Sequence, residues 1–250
     1  MKGLNDEWIM EGHGDFNFTV WRDYFQENKM NVQQVNWSDA YKLSKHELQT
    51  IYKSIQQFQV GESSEGKFLI KAAKDYLVDQ HDKSYLQALT LFIQEEQRHA
   101  RDLGLFMKKQ HIPIIKKHWV DQVFRRLRRF ANLEQSITVL LTAEIIATVY
   151  YDALKQVTSS GDLHDLCGQI LRDEAKHVEF QSHTIKRLSK HRNKCLKKSI
   201  SFLRMFLLAG TLLTVWVYHY KVLKAGGYSF LKYFRSAFNE FYRSEGLINQ

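Results

Sequence analysis

The near absence of proline limits what this chain can fold into more than any other feature of its sequence. Proline occurs once, as Pro113, in 250 residues, against about 12 at average usage. Glycine is also scarce, with 12 residues. A sandwich or barrel of short strands needs many turns, and proline and glycine are the residues that typically form them. The sequence therefore predicts an all-α protein.

The composition is that of a folded, basic protein. Apolar residues make up 44% of the chain and charged residues 25%, which excludes wholesale disorder. The formal net charge of +9 favours an acidic partner without distinguishing anionic lipid, RNA and an acidic carrier protein. Two cysteines are too few for a disulfide framework, and no secretory signal pattern is visible. A cytoplasmic location, free or peripheral to a membrane, is expected.

Four long segments repeat apolar residues at helical spacing, and we name these predicted helices A to D. Helix A begins after Ser44-Lys-His-Glu47, which has the form of a capping box, and continues to about residue 79. Helices B, C and D are predicted over about 84–109, 133–156 and 163–190.

Helices A to D define a body of residues 44–190. Residues 1–43 are predicted to form an N-terminal arm, and residues 191–250 to form further helices that pack on the body. The most apolar segment is Met205–Tyr218, which contains no charged residue. It is shorter than the run of about 20 residues that spans a membrane, so we expect a buried helix or an oligomer contact. A homodimer is the expected assembly.

A carboxylate interrupts the apolar stripe at the middle of each predicted helix. In chain order these residues are Glu62, Glu96, Glu144 and Glu174. On helices B and D a histidine follows three residues later, at His99 and His177, which places both side chains on one helix face. Burying four carboxylates without partners is very unfavourable, and two metal ions would neutralise them. One Glu from each of two helices, with Glu-x-x-His from the other two, is the ligand set of di-iron bundles.

Residue counts alone leave a metal-free interpretation open. Fourteen Glu and eleven His residues would give fewer than one Glu-x-x-His pair by chance, so two pairs are only mildly unexpected. Their position is more informative, because a surface pair would lie opposite the apolar stripe rather than within it. The alternative is a core network of buried Glu–His and Glu–Lys pairs.

The residues around the two pairs resemble a known superfamily. Glu95-Glu-Gln-Arg-His99 and Asp173-Glu-Ala-Lys-His177 resemble the Glu-x-x-His boxes of ferritin-like di-iron carboxylate proteins, and their flanks look like those of acyl-carrier-protein desaturases. Gly61-Glu-Ser63 is similar to rubrerythrins. The resemblance covers residues 45–190. It implies a ferritin-like four-helix bundle, here with an N-terminal arm and extra C-terminal helices.

The same resemblance implies a centre of two iron ions, or a manganese–iron pair, with O₂ as co-substrate. Its metal ligands in this sequence would be Glu62, Glu96, His99, Glu144, Glu174 and His177. Glu96 and Glu174 would bridge the metals, and Glu62 and Glu144 would be terminal. Glu65 remains an alternative to Glu62, because it lies one turn on and faces nearly the same way, although Glu62 is better centred on the apolar face.

Four further residues lie close to the predicted ligands in the sequence. Helical geometry points Asp173 and Glu95 away from the ligands beside them, so we expect each to pair with a ligand on another helix. Tyr151 would donate a hydrogen bond near the metals or carry a radical, as a candidate catalytic residue, or it is a core tyrosine. His183 is expected on the polar surface or in contact with a ligand, rather than as a seventh ligand.

The leading functional hypothesis is an O₂-activating oxygenase or oxidase. It would use an external electron donor to hydroxylate, desaturate or similarly oxidise an organic substrate, such as an acyl, lipid-like or carrier-bound molecule. The alternatives are a rubrerythrin-like peroxidase or ferroxidase, and a metal-free helical protein that binds through its basic surface. Basic clusters at 108–129 and 186–198 are typical of a solvated face, or of a surface that docks an acidic carrier protein, tRNA or an anionic membrane.

Overall fold

A computed structural model describes residues 17–32, 35–63, 66–77, 83–115 and 132–250. All regular secondary structure in these ranges is α-helical, which confirms the predicted all-α class. The helices are α1 (Phe18–Asn31), α2 (Lys45–Glu62), α3 (Lys67–Leu77), α4 (Lys83–Lys109), α5 (Leu133–Lys155), α6 (Gly161–Leu188), α7 (Lys194–Ala225) and α8 (Phe230–Asn249).

Side-chain caps fix where the body helices begin. The predicted capping box of α2 is present, because Ser44 Oγ accepts from the Glu47 N–H at 3.2 Å and Glu47 accepts from the Ser44 N–H at 2.7 Å. A second box, between Asn132 and Gln135, opens α5. Each box satisfies backbone donors that a helix start leaves without an intrahelical partner.

Helix A was predicted as one helix to about residue 79, and this prediction is wrong. The chain instead forms α2 and α3, with a break between Glu62 and Lys67. Gly66 within the break has φ of 62°, in the left-handed region that favours glycine. A Cβ at Gly66 would also lie 2.4 Å from Ile93 Cδ1 on α4. The break makes Glu62 the last residue of α2.

Helices α2, α4, α5 and α6 pack against one another in the body of the protein. The closest pairing is between α5 and α6, while α2 lies on α4, and α4 also contacts α6. Helix α5 is buried along most of its length, with Ile137, Leu141, Ile145 and Leu154 in the core. The predicted helices B and C correspond to α4 and α5 within one residue at each end. The predicted helix D corresponds to α6 but is shifted two residues toward the C-terminus.

The described part of the N-terminal arm includes the helix α1, which packs along α4. Its buried side chains are Phe18, Trp21 and Phe25. Phe25 lies 5.2 Å from the ring of Phe180 and 6.1 Å from that of His177, so α1 covers part of the centre of the body. Residues 1–16 lie outside the described ranges.

Several contacts anchor the C-terminal helices to the body, and two of them hold α7. Ser54 on α2 lies 2.8 Å from His219 Nδ1 on α7. At the turn between α7 and α8, Gly226 approaches the backbone of Ala153 on α5 so closely that a Cβ there would lie 2.3 Å from the Ala153 carbonyl oxygen. One face of α7 is thereby held against the body.

The expectation that Met205–Tyr218 is buried within this chain is wrong, and the alternative of an oligomer contact stays a prediction. Among the described residues, α5 and α7 are the two helices long and apolar enough to cross a membrane, which is weak evidence of a span. In its most apolar stretch α5 is 78% buried, whereas α7 is 22% buried. The two helices differ in burial because α5 has neighbouring helices on all sides, whereas α7 packs against the protein through one face.

We predict that Gly226→Ala will destabilise the protein by about 1–3 kcal/mol, because the added methyl group meets backbone that cannot rotate away. Gly246→Ala on α8 is the matched control, since its Cβ would meet nothing within 4 Å. Urea unfolding followed by circular dichroism measures both. Equal stability of the two variants would contradict the close contact between the α7–α8 turn and α5.

Candidate metal centre

The six predicted ligands converge between the four body helices. Glu62 ends α2, Glu96 and His99 lie on α4, Glu144 lies on α5, and Glu174 and His177 lie on α6. Their ligand atoms form two overlapping groups, each with all atoms within 4.8 Å of one another. The first group contains Glu62, Glu96, His99 and Glu174, and the second contains Glu96, Glu144, Glu174 and His177. The structure thus brings together residues that are up to 115 positions apart, and such groups could hold metal ions.

Glu96 and Glu174 belong to both groups, and we call them the shared pair. Glu62 and Glu144 each belong to one group, and we call them the terminal pair. A carboxylate has two oxygens and can contact two cations at once. Each group could therefore hold a metal ion, and the two groups have Glu96 and Glu174 in common. Glu65, the alternative to Glu62, lies outside the described residues.

The inward-facing atoms of the cluster lack hydrogen bonds in the described part of the chain. They are Glu96 Oε1, His99 Nδ1, Glu144 Oε1, both carboxylate oxygens of Glu174, and His177 Nδ1. His177 Nδ1 lies 3.0 Å from Glu96 Oε1, and His99 Nδ1 lies 3.5 Å from it, both without hydrogen-bond geometry. Buried polar atoms in folded proteins almost always have a partner. Six such atoms lie close together, and the groups that contain them could hold a metal ion.

Burial affects the two carboxylate pairs differently. It raises the pKa of the terminal pair, Glu62 and Glu144, well above the ordinary value, and the charges of the shared pair add to this effect. Burial also opposes ionisation of Glu96 and Glu174. The adjacent imidazoles outweigh this effect for Glu96, and contacts with the Glu144 carboxyl group and the imidazoles outweigh it for Glu174, so the pKa of both lies below the ordinary value. The shared pair is therefore the more strongly ionised half of the cluster.

The two imidazoles respond to the same surplus of negative charge. Burial alone would lower the pKa of His99 and His177, since it disfavours the charged form. The surrounding carboxylates, first Asp173 for His99 and first Glu144 for His177, raise their pKa well above the ordinary value instead. The interior of the body thus attracts positive charge.

The outward-facing nitrogen of each imidazole contacts a carboxylate from the other Glu-x-x-His helix. His99 Nε2 on α4 lies 3.0 Å from Asp173 Oδ2 on α6. His177 Nε2 on α6 lies 3.0 Å from Glu95 Oε2 on α4. Each outer carboxylate accepts the Nε2 proton and so orients the imidazole with Nδ1 directed into the cluster. The expectation that Asp173 and Glu95 pair across helices is confirmed.

Two residues that the sequence interpretation missed connect these outer carboxylates. Arg98 on α4 donates to Asp173 at 2.6 Å and lies 3.3 Å from Glu95. Asn28 on α1 donates to Asp173 at 3.1 Å and also to Glu95. The position of Arg98 within the first Glu-x-x-His box could have indicated from the sequence that it lies near the ligands. Asn28 offered none, because its partners are 67 and 145 residues away.

Tyr151 reaches the cluster from α5. Its hydroxyl donates to Glu62 Oε1 at 2.5 Å, and the side chain is completely buried. Of the interpretations left open by the sequence, the position matches that of a hydrogen-bond donor beside a predicted ligand. The hydrogen bond joins α5 to the last residue of α2, just before the helix break.

Aromatic rings close one side of the cluster to water. Phe92 packs against the His177 ring with 4.7 Å between centroids, and Phe25 lies 6.1 Å away. Both phenyl side chains are buried. Electrostatic interactions are stronger in such an environment than in water.

His183 does not belong to the cluster, and its predicted surface position is wrong. The side chain is buried, with its ring 5.7 Å from that of Trp21 on α1. Burial lowers the pKa of His183 to about 4. Its burial follows from the packing of α1 on the body, which the sequence does not reveal.

The predicted basic clusters are partly neutralised within the chain. Lys109 forms an ion pair with Asp162, and Arg192 forms one with Glu134. Lys190, Lys194 and Lys198 are exposed. Residues 116–131, which carry most of the first cluster, including Lys116, Lys117 and Arg125–Arg129, lie outside the described ranges.

A cleft of about 700 Å³ opens beside the outer carboxylates. Its lining combines apolar side chains, among them Phe25 and Trp37, with the cationic side chains of Lys29 and Arg101. Glu95 and Arg98 also line it. Because Glu95 contacts His177, one side chain links the wall of the cleft to the cluster.

Comparison of the chain with protein-family models, curated proteins and solved structures gives no match.

We predict that Glu144→Gln will stabilise the metal-free protein by about 0.5–2 kcal/mol, because buried functional charges lower the stability of the fold that holds them. Urea unfolding in the presence of a chelator measures this change. Glu134→Gln is the control on the same helix, since Glu134 is paired with Arg192 and its loss should not stabilise. A clear loss of stability in Glu144→Gln would favour the metal-free core network.

We also predict that Asp173→Asn will weaken metal binding by about 10–100-fold, because outer carboxylates orient imidazole ligands and increase their basicity. Titration with Fe(II) or Mn(II) measures the affinity. Asp152→Asn provides the control, because Asp152 accepts a hydrogen bond from Tyr228 away from the cluster. Equal affinities in both variants would exclude the role assigned to the contact between Asp173 and His99.

Proposed function

We propose that this chain is a ferritin-like protein that binds two iron ions and uses them to activate O₂ for the oxidation of an organic substrate. The observation that carries the proposal is the shared pair, since Glu96 and Glu174 belong to two overlapping ligand groups. A single cation position would need one group. Two groups with common carboxylates favour two adjacent metal ions.

The chemistry of the donor atoms suits iron or manganese. The groups contain carboxylate oxygens and imidazole nitrogens, and the two cysteines lie elsewhere. Hard oxygen donors with imidazole favour iron and manganese over soft metals that prefer thiolate. Two divalent ions would also balance the formal charge of four carboxylates, which meets the cost of their burial. Bound iron would supply the redox chemistry that O₂ activation needs, with electrons from an external donor.

The residues around the cluster would fix the orientation of the metal ligands. Asp173 and Glu95 orient the two imidazoles, and the Tyr151 hydroxyl fixes one oxygen of Glu62. Phe25 and Phe92 exclude water from one side. Held ligands reduce the reorganisation that a reaction requires, since dipoles and charges are already in position.

The cleft beside Glu95 supports an organic substrate with an apolar body and an acidic group. Phe25, Trp37 and Leu91 offer apolar contact. Lys29, Arg98 and Arg101 outnumber the acidic lining residues Glu95 and Asp102, although Arg101 is paired with Asp102. Clefts of this size that combine apolar side chains with polar groups can bind small molecules. Acyl and lipid-like acids, free or carrier-bound, fall within this class.

Anaerobic loading with Fe(II) followed by elemental analysis tests the proposal. We predict about two iron ions per chain in the wild type, as the donor set of a di-iron bundle requires. Glu96→Ala and Glu174→Ala should each abolish tight binding of both ions, because each removes a ligand common to the two groups. Glu179→Gln, on α6 but paired with Lys176 and Arg243, is the control and should load normally.

Oxygen consumption by the loaded protein then distinguishes the enzyme classes. O₂ uptake that depends on a reductant and a long-chain acid supports the proposed oxidation. Rapid consumption of H₂O₂ with little O₂ uptake would favour the peroxidase instead. A folded wild type that binds neither Fe(II) nor Mn(II) would refute the proposal and leave the cluster as a structural network.

A further inference from the structure

The outward side of α7 carries a continuous apolar surface. We call it the outer face of α7, and it consists of Phe202, Leu203, Phe206, Leu213, Val217 and Tyr220. Leu203 and Val217 are each 66% exposed. The face extends for about 27 Å at the rise of an α-helix. Contiguous exposed apolar surface of this kind usually marks an interaction site.

The outer face of α7 carries no charged side chain. Arg204 is the charged residue within its span, and it points inward, where it donates to both carboxylate oxygens of Glu245 on α8 at 2.7 and 2.9 Å. Both side chains are buried. Helix α7 contains no Asp or Glu. The outer face therefore presents neither a positive nor a negative side chain along its length.

Positive charge is concentrated at both ends of the outer face. Lys194, Lys197 and Lys198 precede it, and Lys221 and Lys224 follow it. On α8, the neighbouring Leu231 is 77% exposed and is followed by Lys232. Exposed apolar side chains between two groups of lysines provide the two attractions that hold a helix on an anionic membrane surface, which are burial of apolar area and attraction to anionic lipid.

The charges at its ends indicate that the outer face of α7 binds a membrane rather than a second copy of the chain. Two copies of α7 paired face to face, in either direction, would place lysines of one copy against lysines of the other. Like charges opposed in this way disfavour association. An anionic bilayer instead offers acyl chains to the apolar residues and phosphates to the lysines, with each nearby Lys or Arg strengthening the attraction.

The inner face of α7 excludes a transmembrane orientation for this fold. His219 contacts Ser54 on α2, and Arg204 is paired with Glu245. A bilayer-spanning α7 would have to leave these partners, exposing charged and polar groups to lipid. A helix held to the body along one side can lie on a membrane with its other side immersed.

We propose that α7 docks this protein on anionic lipid bilayers, with its outer face in the boundary between headgroups and acyl chains and its terminal lysines on the lipid phosphates. This docking is independent of metal binding, because none of the residues involved belongs to the ligand cluster. It would place the body of the protein at the membrane surface, where lipid-like molecules are concentrated.

Flotation of the full chain with vesicles tests the docking. We expect the wild type to float with vesicles of phosphatidylcholine and phosphatidylglycerol, and at least about tenfold less with phosphatidylcholine alone. The double variant Leu203→Asp with Val217→Asp should lose at least about tenfold in binding to the mixed vesicles, because two apolar anchors are replaced by charges. Lys221→Gln with Lys224→Gln should reduce the preference for phosphatidylglycerol.

A matched double variant controls for the added negative charge. Phe68→Asp with Ile114→Asp changes two other exposed apolar residues and should float like the wild type. Circular dichroism verifies that all variants keep their helix content. Failure of the wild type to float with mixed vesicles, or equal flotation of both aspartate variants, overturns the proposal. A non-floating wild-type dimer that Leu203→Asp with Val217→Asp converts to monomers assigns the outer face to a second copy.

Discussion

Negative charge enclosed in a protein interior must be balanced, and much of this structure is arranged around that requirement. Four body helices each contribute one carboxylate to the same point, and two of them also contribute an imidazole. Apolar packing around α5 holds these groups together, while Phe92 and Phe25 limit the access of water. The hydrophobic core thus stabilises an arrangement that its own charges oppose, and bound cations would relieve that opposition.

Charge alternates outward from the centre of the cluster. The inner carboxylates surround the imidazoles, the imidazoles contact Asp173 and Glu95, and these contact Arg98 and Asn28. Each layer partly balances the one inside it, and the outermost layer reaches α1 and the wall of the cleft. A change at Asn28 or Arg98 can therefore affect the orientation of the ligands without touching them. This connection also places the cleft one side chain away from the proposed metal centre.

Helices α5 and α7 are both long and apolar, but they differ in burial. Helix α5 is enclosed by its neighbours, whereas α7 leaves one side open. The inward ion pair between Arg204 and Glu245 holds α7 to α8 and at the same time keeps charge off the outer face. The body would then carry the chemistry, and the open side of α7 would determine where in the cell that chemistry takes place.

The sequence by itself determined the helical class, the extents of α4, α5 and α6, and the six residues of the cluster, because apolar periodicity and i, i+3 spacing are local properties of a helix. It also indicated that Asp173 and Glu95 pair across helices. Tertiary structure decided the rest. The break after Glu62 depends on the contact of Gly66 with Ile93, the role of Asn28 on the docking of α1, and the burial of His183 on Trp21. Likewise, α7 is exposed because the other helices surround α5 and not α7. These contacts join residues far apart in the chain, so no local pattern records them.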